Sequence, residues 1–126
     1  GLMATDGTIQ TGIYGRKAKS MKLAMVVPDK EHQAMVMEAI YGEKGVKAGY
    51  TDGYCKEVLL KAAEHLVKDK GAQALILGCT ELPLILEETD NLKLGDGHAA
   101  IVDPTSSLAR RVVKVAGEIT KIRGVR

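Results

Sequence analysis

Two rhythms of apolar residues alternate along this chain. The first is a set of short continuous apolar stretches. The segment Gly1 to Thr5 reads as the end of a strand, Lys22 to Val27 as a second strand closed by Pro28, Ala74 to Leu77 as a third, and Ala99 to Val102 as a fourth. The run Ala74-Leu75-Ile76-Leu77 has the pattern of a strand buried on both faces. The second rhythm is helical. Thr8 is placed to cap a helix running to about Lys17, and Ala34, Met37, Ile40 and Tyr41 mark another between Glu31 and Gly42. The clearest helix runs from about Asp52 to Asp69. There Cys55, Val58, Leu59, Ala62, Ala63 and Leu66 fall on one stripe, and Gly71 follows as a stop signal.

The rest of the chain is punctuation and one more helix. Residues 43–53 are polar, contain three Gly and read as a loop, as do residues 91–97. A short helix is expected from Glu81 to about Glu87, with Pro83 tolerated in its first turn. Asp103-Pro104 sets an N-cap with Pro at the first helical position. The last helix then puts Leu108, Val112, Val115, Ala116, Ile119 and Ile122 on one face, ending near Ile122. No internal repeat or low-complexity segment interrupts this order.

Strands that alternate with helices predict an α/β fold: a parallel four-stranded sheet flanked by helices in three layers, αβα. In such sheets ligands sit at the carboxyl ends of the strands. Three short polar turns are expected there: Thr5 to Thr8, Cys79 to Glu81, and Asp103 to Thr105.

Composition narrows the picture. The 126 residues suffice for one modest core, which must be built without Trp or Phe. A net charge of +2 gives no reason to expect nucleic acid or an anionic membrane as partner. The basic clusters are Arg110-Arg111 and the tail Lys121, Arg123 and Arg126, which read as cations favoured near a helix C-terminus. No apolar run has the length of a bilayer crossing, and no charged segment precedes an apolar leader. Cys55 and Cys79 have neither C-x-x-C spacing nor a His at metal-ligand spacing, so no zinc or other metal is expected. Both are read as free thiols of a cytoplasmic protein.

The turn at Cys79 carries the most chemistry. A cysteine just past a buried strand, with a helix starting behind it, would have its thiol pKa lowered by that helix's N-terminus, which could also bind a carboxylate. Free Cys is also among the most buried residue types, so position alone leaves Cys79 open between catalysis and packing. Cys55 lies on an apolar helix stripe and reads as core.

Four stretches in order then become recognisable. Gly78-Cys79-Thr80-Glu81-Leu82-Pro83-Leu84 resembles the second cysteine motif of the aspartate/glutamate racemase family. Gly1-Leu2-Met3-Ala4-Thr5-Asp6-Gly7-Thr8 resembles the strand and turn that open the second half of those enzymes. Ala39-Ile40-Tyr41 with Gly45-Val46-Lys47-Ala48-Gly49 is similar to a mid-domain segment, and Ile101-Val102-Asp103-Pro104-Thr105 to the motif before the final helix. Glu81 after Cys-Thr, where cell-wall glutamate racemases typically carry His, is similar to the aspartate racemase branch.

The resemblance implies one half of a two-domain racemase. Residues 1–103 would form the C-terminal α/β domain, and residues 104–126 a final helix that packs on a missing N-terminal half. It implies a cofactor-independent racemisation of an amino acid, aspartate first, by two thiols on opposite faces of the substrate. Cys79 would be one of them. Thr80, Thr5, Lys47, Thr8 and Glu81 would bind substrate. The second thiol would come from the N-terminal half or, by imitation of the family's two similar halves, from a second copy in a homodimer. Bland readings stand beside these: Thr8 as a helix cap, Lys47 as a solvated loop charge, Asp103 as an N-cap, Glu81 as a charge that favours a helix N-terminus. Two other functions remain open. One is a single-cysteine decarboxylase relative, which Gly-Cys-Thr-Glu argues against. The other is a non-catalytic half-domain that binds a small carboxylate.

Overall fold

A computed structural model describes residues 1–123, with side chains described through residue 118. The chain runs β1 (Leu2–Met3), α1 (Asp6–Thr11), α2 (Ile13–Ser20), α3 (Lys30–Tyr41), a 3₁₀ turn (Val46–Ala48), α4 (Tyr54–Lys68), β2 (Ala74–Leu77), a second 3₁₀ turn (Leu82–Leu84), β3 (Thr89–Leu94), β4 (Gly97–Val102) and α5 (Pro104–Arg123). The architecture is the expected αβα sheet with helices, in the strand order β1-β2-β4-β3. β1, β2 and β4 are parallel, while β3 joins β4 antiparallel.

Among the described residues there are four strands, but not the four the sequence suggests. Residues 22–27 form no strand. Lys22 turns into the left-handed region at φ 57°, and a single backbone bond, Leu2 N–H to Val26 O at 2.9 Å, brings the segment alongside β1. Leu23 and Val27 stay exposed. The fourth strand is instead β3, which runs into what reads as the loop at residues 91–97. It folds back on β4 through Gly95-Asp96, with Leu94 paired to Gly97.

The helix starts also shift. Thr5, not Thr8, caps the first helix, its Oγ1 accepting from Thr8 N–H at 3.4 Å. Gly12 at φ 63° then divides the expected helix into α1 and α2. Asp29 caps α3, and Asp103 caps α5 by accepting from Thr105 N–H at 2.9 Å and from the Ser106 hydroxyl at 2.6 Å.

The core lies between the sheet and the α3–α4 pair. All six stripe residues of α4 are buried, together with Val36, Ala39 and Ile40 of α3. From the sheet come Met3, Leu75, Leu77, Ala99 and Ile101. Burying one large aliphatic side chain here contributes about 1.5–3 kcal/mol. The opposite face of the sheet is only partly covered: Ile76, Ala100 and Val102 are half-buried, so Ala74–Leu77 is not closed on both faces as its composition suggests. α5 leaves Leu108, Val112 and Val113 exposed. Arg110 lies well inside α5 rather than near its end, and grips Glu88 with two bonds of 2.8 and 3.0 Å. The side chains of Ile119, Lys121, Ile122, Arg123 and Arg126 lie outside the described residues. No helix among those described is long and apolar enough to cross a membrane.

Candidate active site

Parallel pairing places the three polar turns at one end of the sheet, beyond the carboxyl ends of its parallel strands. Met3 is level with Leu77 and Ile76 with Val102, so Thr5, Cys79 and Asp103 leave neighbouring strands on the same side. Gly78 makes the first of these junctions tight. Its N–H bonds to Met3 O at 2.7 Å, and a Cβ there would meet Leu2 Cδ1 at 2.7 Å and Ala4 Cβ at 3.0 Å. Only a residue without a side chain lets β1 lie this close to the strand that carries Cys79.

The structure brings Cys79, Thr80, Glu81 and Lys47 together around one carboxylate. The Cys79 thiol donates to Glu81 Oε2 at 2.8 Å, and the Thr80 hydroxyl donates to the same oxygen at 3.0 Å. Lys47 Nζ reaches the other oxygen at 3.3 Å. Lys47 arrives from the 3₁₀ turn after α3, anchored by buried Val46, and its ammonium lies over the Tyr41 ring, 5.0 Å from the centroid. Lys47 is thus paired, not merely solvated. Thr5 and Thr8 form a separate pair across their own turn, hydroxyl to hydroxyl at 3.1 Å. Asp103 is buried and engaged as the cap of α5.

Charge sets the protonation states. The hydrogen bond from the Cys79 thiol, then that from Thr80, holds the Glu81 carboxyl down at about 2, with Lys47 adding to it. The Lys47 ammonium is held up chiefly by its bond to Glu81. The Cys79 thiol is pushed up, first by burial and then by the hydrogen bond to Glu81 and its negative charge. The Glu81 backbone N–H and the Lys47 charge pull the other way and do not prevail. This reverses the lowered pKa expected from a helix N-terminus. The segment after Cys79 is a three-residue 3₁₀ turn, not a helix to Glu87, so little dipole forms, and the nearest full charge is negative. At neutral pH the sulfur therefore holds its proton, aimed at a carboxylate that a lysine fixes in place.

Cys55 lies apart from this chemistry. It is fully buried in α4, and its thiol donates to Asp52 O at 3.3 Å and Tyr50 O at 3.5 Å. Two contributors have no local signature in the sequence. Tyr41 lies under Lys47, and Gln33 ties α3 to the first turn by donating to Ala4 O at 3.0 Å and Asp6 Oδ1 at 2.8 Å. Their partners are supplied only by folding. The same is true of Asp29, His32 and His65, which meet where α3 begins and α4 ends. His32 and His65 are too far apart in sequence for any ligand motif to signal them.

Comparison with known proteins adds the family. A model of the Asp/Glu/hydantoin racemase family matches residues 1–112. An uncharacterized protein from the pnlA 3′ region of Pectobacterium carotovorum subsp. carotovorum is 33% identical over 116 residues, which are 90% of this chain and 70% of that protein. The glutamate racemase of Limosilactobacillus reuteri is 24% identical over 111 residues, 88% of this chain and 38% of that enzyme. Among solved structures, the aspartate racemase of Picrophilus torridus superposes with a TM-score of 0.60 at 28% identity, over 92% of this chain and 44% of that one. The chain thus spans less than half the length of either racemase.

Proposed function

The chain belongs to the Asp/Glu/hydantoin racemase family, and from that premise we propose that it contributes one of the two proton-exchanging thiols of an amino-acid racemase acting on aspartate, with Cys79 as that thiol. The observation that carries this reading is the short bond from the Cys79 thiol to a carboxylate that Thr80 and Lys47 hold in place. It keeps a proton on sulfur and orients it at the carboxyl ends of the strands, where ligands of α/β folds bind.

The division of labour follows from the charges. In the resting arrangement Cys79 is the acid, which returns a proton to the substrate carbanion on its own face. In the reverse direction it must act as thiolate, and Lys47 together with the Glu81 N–H favours that form. A carbanion next to a carboxylate needs donors placed where charge develops. Lys47, the Thr80 hydroxyl, and Thr5 with Thr8 on the neighbouring turn serve there as carboxylate-binding groups. Glu81 is a positioning residue that orients the thiol, and it also repels a second anion unless Lys47 balances it. No cofactor is required by this scheme.

One thiol exchanges a proton on one face only. Cys55 is sealed in the core, so the second exchanging thiol is not supplied by the described residues of the same copy. It comes from a further half-sized unit, as the length of the related racemases allows, or from a second copy about a two-fold axis. The exposed apolar residues of α5 are the surface for that association.

The substrate is tested by protection. Cys79 alkylation by iodoacetamide, followed by mass spectrometry, should slow in the presence of D- or L-aspartate more than with glutamate. Equal protection by both acids contradicts the choice of aspartate, and the absence of any protection contradicts substrate binding at Cys79.

A further inference from the structure

A second cluster lies on the α3–α4 hairpin and shares no residue with the Cys79 site. Asp29 caps α3, His32 is in its first turn, and His65 is in the last turn of α4. Each offers one ligand atom, and these atoms lie within 4.8 Å of one another. The two imidazoles stack in parallel, 3.9 Å between centroids and 4° between planes. The Asp29 carboxylate spans them, one oxygen 2.7 Å from His32 Nδ1 and the other 3.6 Å from His65 Nε2.

His65 makes this more than a surface cluster. Its side chain is only 6% exposed. Its Nδ1 lies 2.7 Å from Asp69 Oδ2. An ionised carboxylate only accepts, so Nδ1 carries the hydrogen, and in the neutral ring Nε2 is a bare lone pair. That nitrogen is buried, has no hydrogen-bond partner, and lies 3.6 Å from a second acceptor, an oxygen of Asp29. A buried acceptor that faces a second acceptor, with no donor or cation between them, is unfavourable. A carboxylate behind one imidazole nitrogen, with the other aimed at a shared centre, is how proteins orient histidines that ligate metals.

We propose that Asp29, His32 and His65 bind a divalent transition-metal ion, zinc by ligand chemistry, with Asp69 orienting His65 from behind. Two imidazoles and one carboxylate suit zinc, cobalt or nickel and disfavour magnesium and calcium. Asp29 and His32 are partly exposed and would give up their mutual 2.7 Å bond to take the ion, whereas His65 is already held by Asp69. Three protein ligands leave a coordination position open to water. The ion would tie the start of α3 to the end of α4. A proton on His65 Nε2 is the rival way to bridge the two acceptors, and the experiment separates the two.

The 126-residue chain, stripped with EDTA, is titrated with Zn²⁺ against a chromophoric chelator, and with Co²⁺ while visible absorption is followed. The expected result is one ion per chain, a cobalt spectrum without a thiolate charge-transfer band, and a thermal midpoint raised by roughly 5–10 °C at a hundredfold excess over Kd. His32→Ala, whose side chain is partly exposed, should abolish tight binding while circular dichroism stays unchanged. Asp69→Asn should weaken binding by about 10–100-fold. His98→Ala should leave it unchanged. Lack of binding, binding that survives His32→Ala, or a thiolate band that places the ion on cysteine would each overturn the proposal.

Discussion

Glu81 organises the site at the level of single residues, which its place in the motif does not announce. Its carboxylate receives the Cys79 thiol, the Thr80 hydroxyl and the Lys47 ammonium at 2.8, 3.0 and 3.3 Å. Removing its charge with Glu81→Gln takes away the negative charge that raises the thiol, weakens the hydrogen bond that does the same, and leaves burial. The Cys79 pKa should then fall, so that iodoacetamide alkylation, followed against pH, turns on at lower pH than in the wild type. Lys47→Met should move it the other way, because Lys47 is one of the two influences that lower it. Glu81 also leaves a trace in stability. Its folded value of about 2 lies below the ordinary 4.5. A carboxyl depressed by folding adds stability that is fully present above about 4.5 and is lost as pH falls toward 2. Acid unfolding followed by circular dichroism should accordingly decline less steeply between those values in Glu81→Gln. An unchanged acid limb would remove Glu81 from the network.

Whole elements show where local sequence determines structure and where packing does. The α4 stripe was legible because its six core positions, Cys55 to Leu66, recur at helical spacing and all are buried. Leu59→Ala there should cost about 2–5 kcal/mol in urea unfolding. The turns at Thr5, Cys79 and Asp103 were legible as sites because strand ends in parallel sheets converge. β3 was missed although Leu92-Lys93-Leu94 alternates and Gly95-Asp96 has the composition of a two-residue hairpin turn. The density of polar residues in Asp90 to Gly97 hid it, and an edge strand tolerates that density because one side faces water. Gly95→Ala should cost about 1 kcal/mol, since φ there is 59°, a conformation that suits glycine. Residues 22–27 misled in the opposite direction. Their apolar content suits a strand, but only Val26 is engaged by the edge of β1, and composition carries no information about an available partner. The helix expected after Cys79 failed for a similar reason: Glu81 turned toward the thiol, and the segment closed after a single 3₁₀ turn at Leu82–Leu84.

At the scale of the molecule, one face of the sheet is finished and the other is not. α3 and α4 cover Leu75, Leu77, Ala99 and Ile101, while Ile76, Ala100 and Val102 stay half-buried and α5 presents Leu108, Val112 and Val113 to solvent. Apolar surface of this kind is a site of association. In sedimentation velocity the chain should self-associate as concentration rises, and Val113→Lys should weaken that association; a monomer at all concentrations contradicts the two-copy arrangement. The racemase reading itself stands on Cys79, and it is tested most directly by proton NMR of L- and D-aspartate in D₂O, following loss of the α-proton signal together with optical inversion. The account predicts deuterium exchange by the wild-type chain that falls by about a thousandfold or more in Cys79→Ala. Exchange that survives Cys79→Ala, or the absence of exchange with either enantiomer, contradicts it.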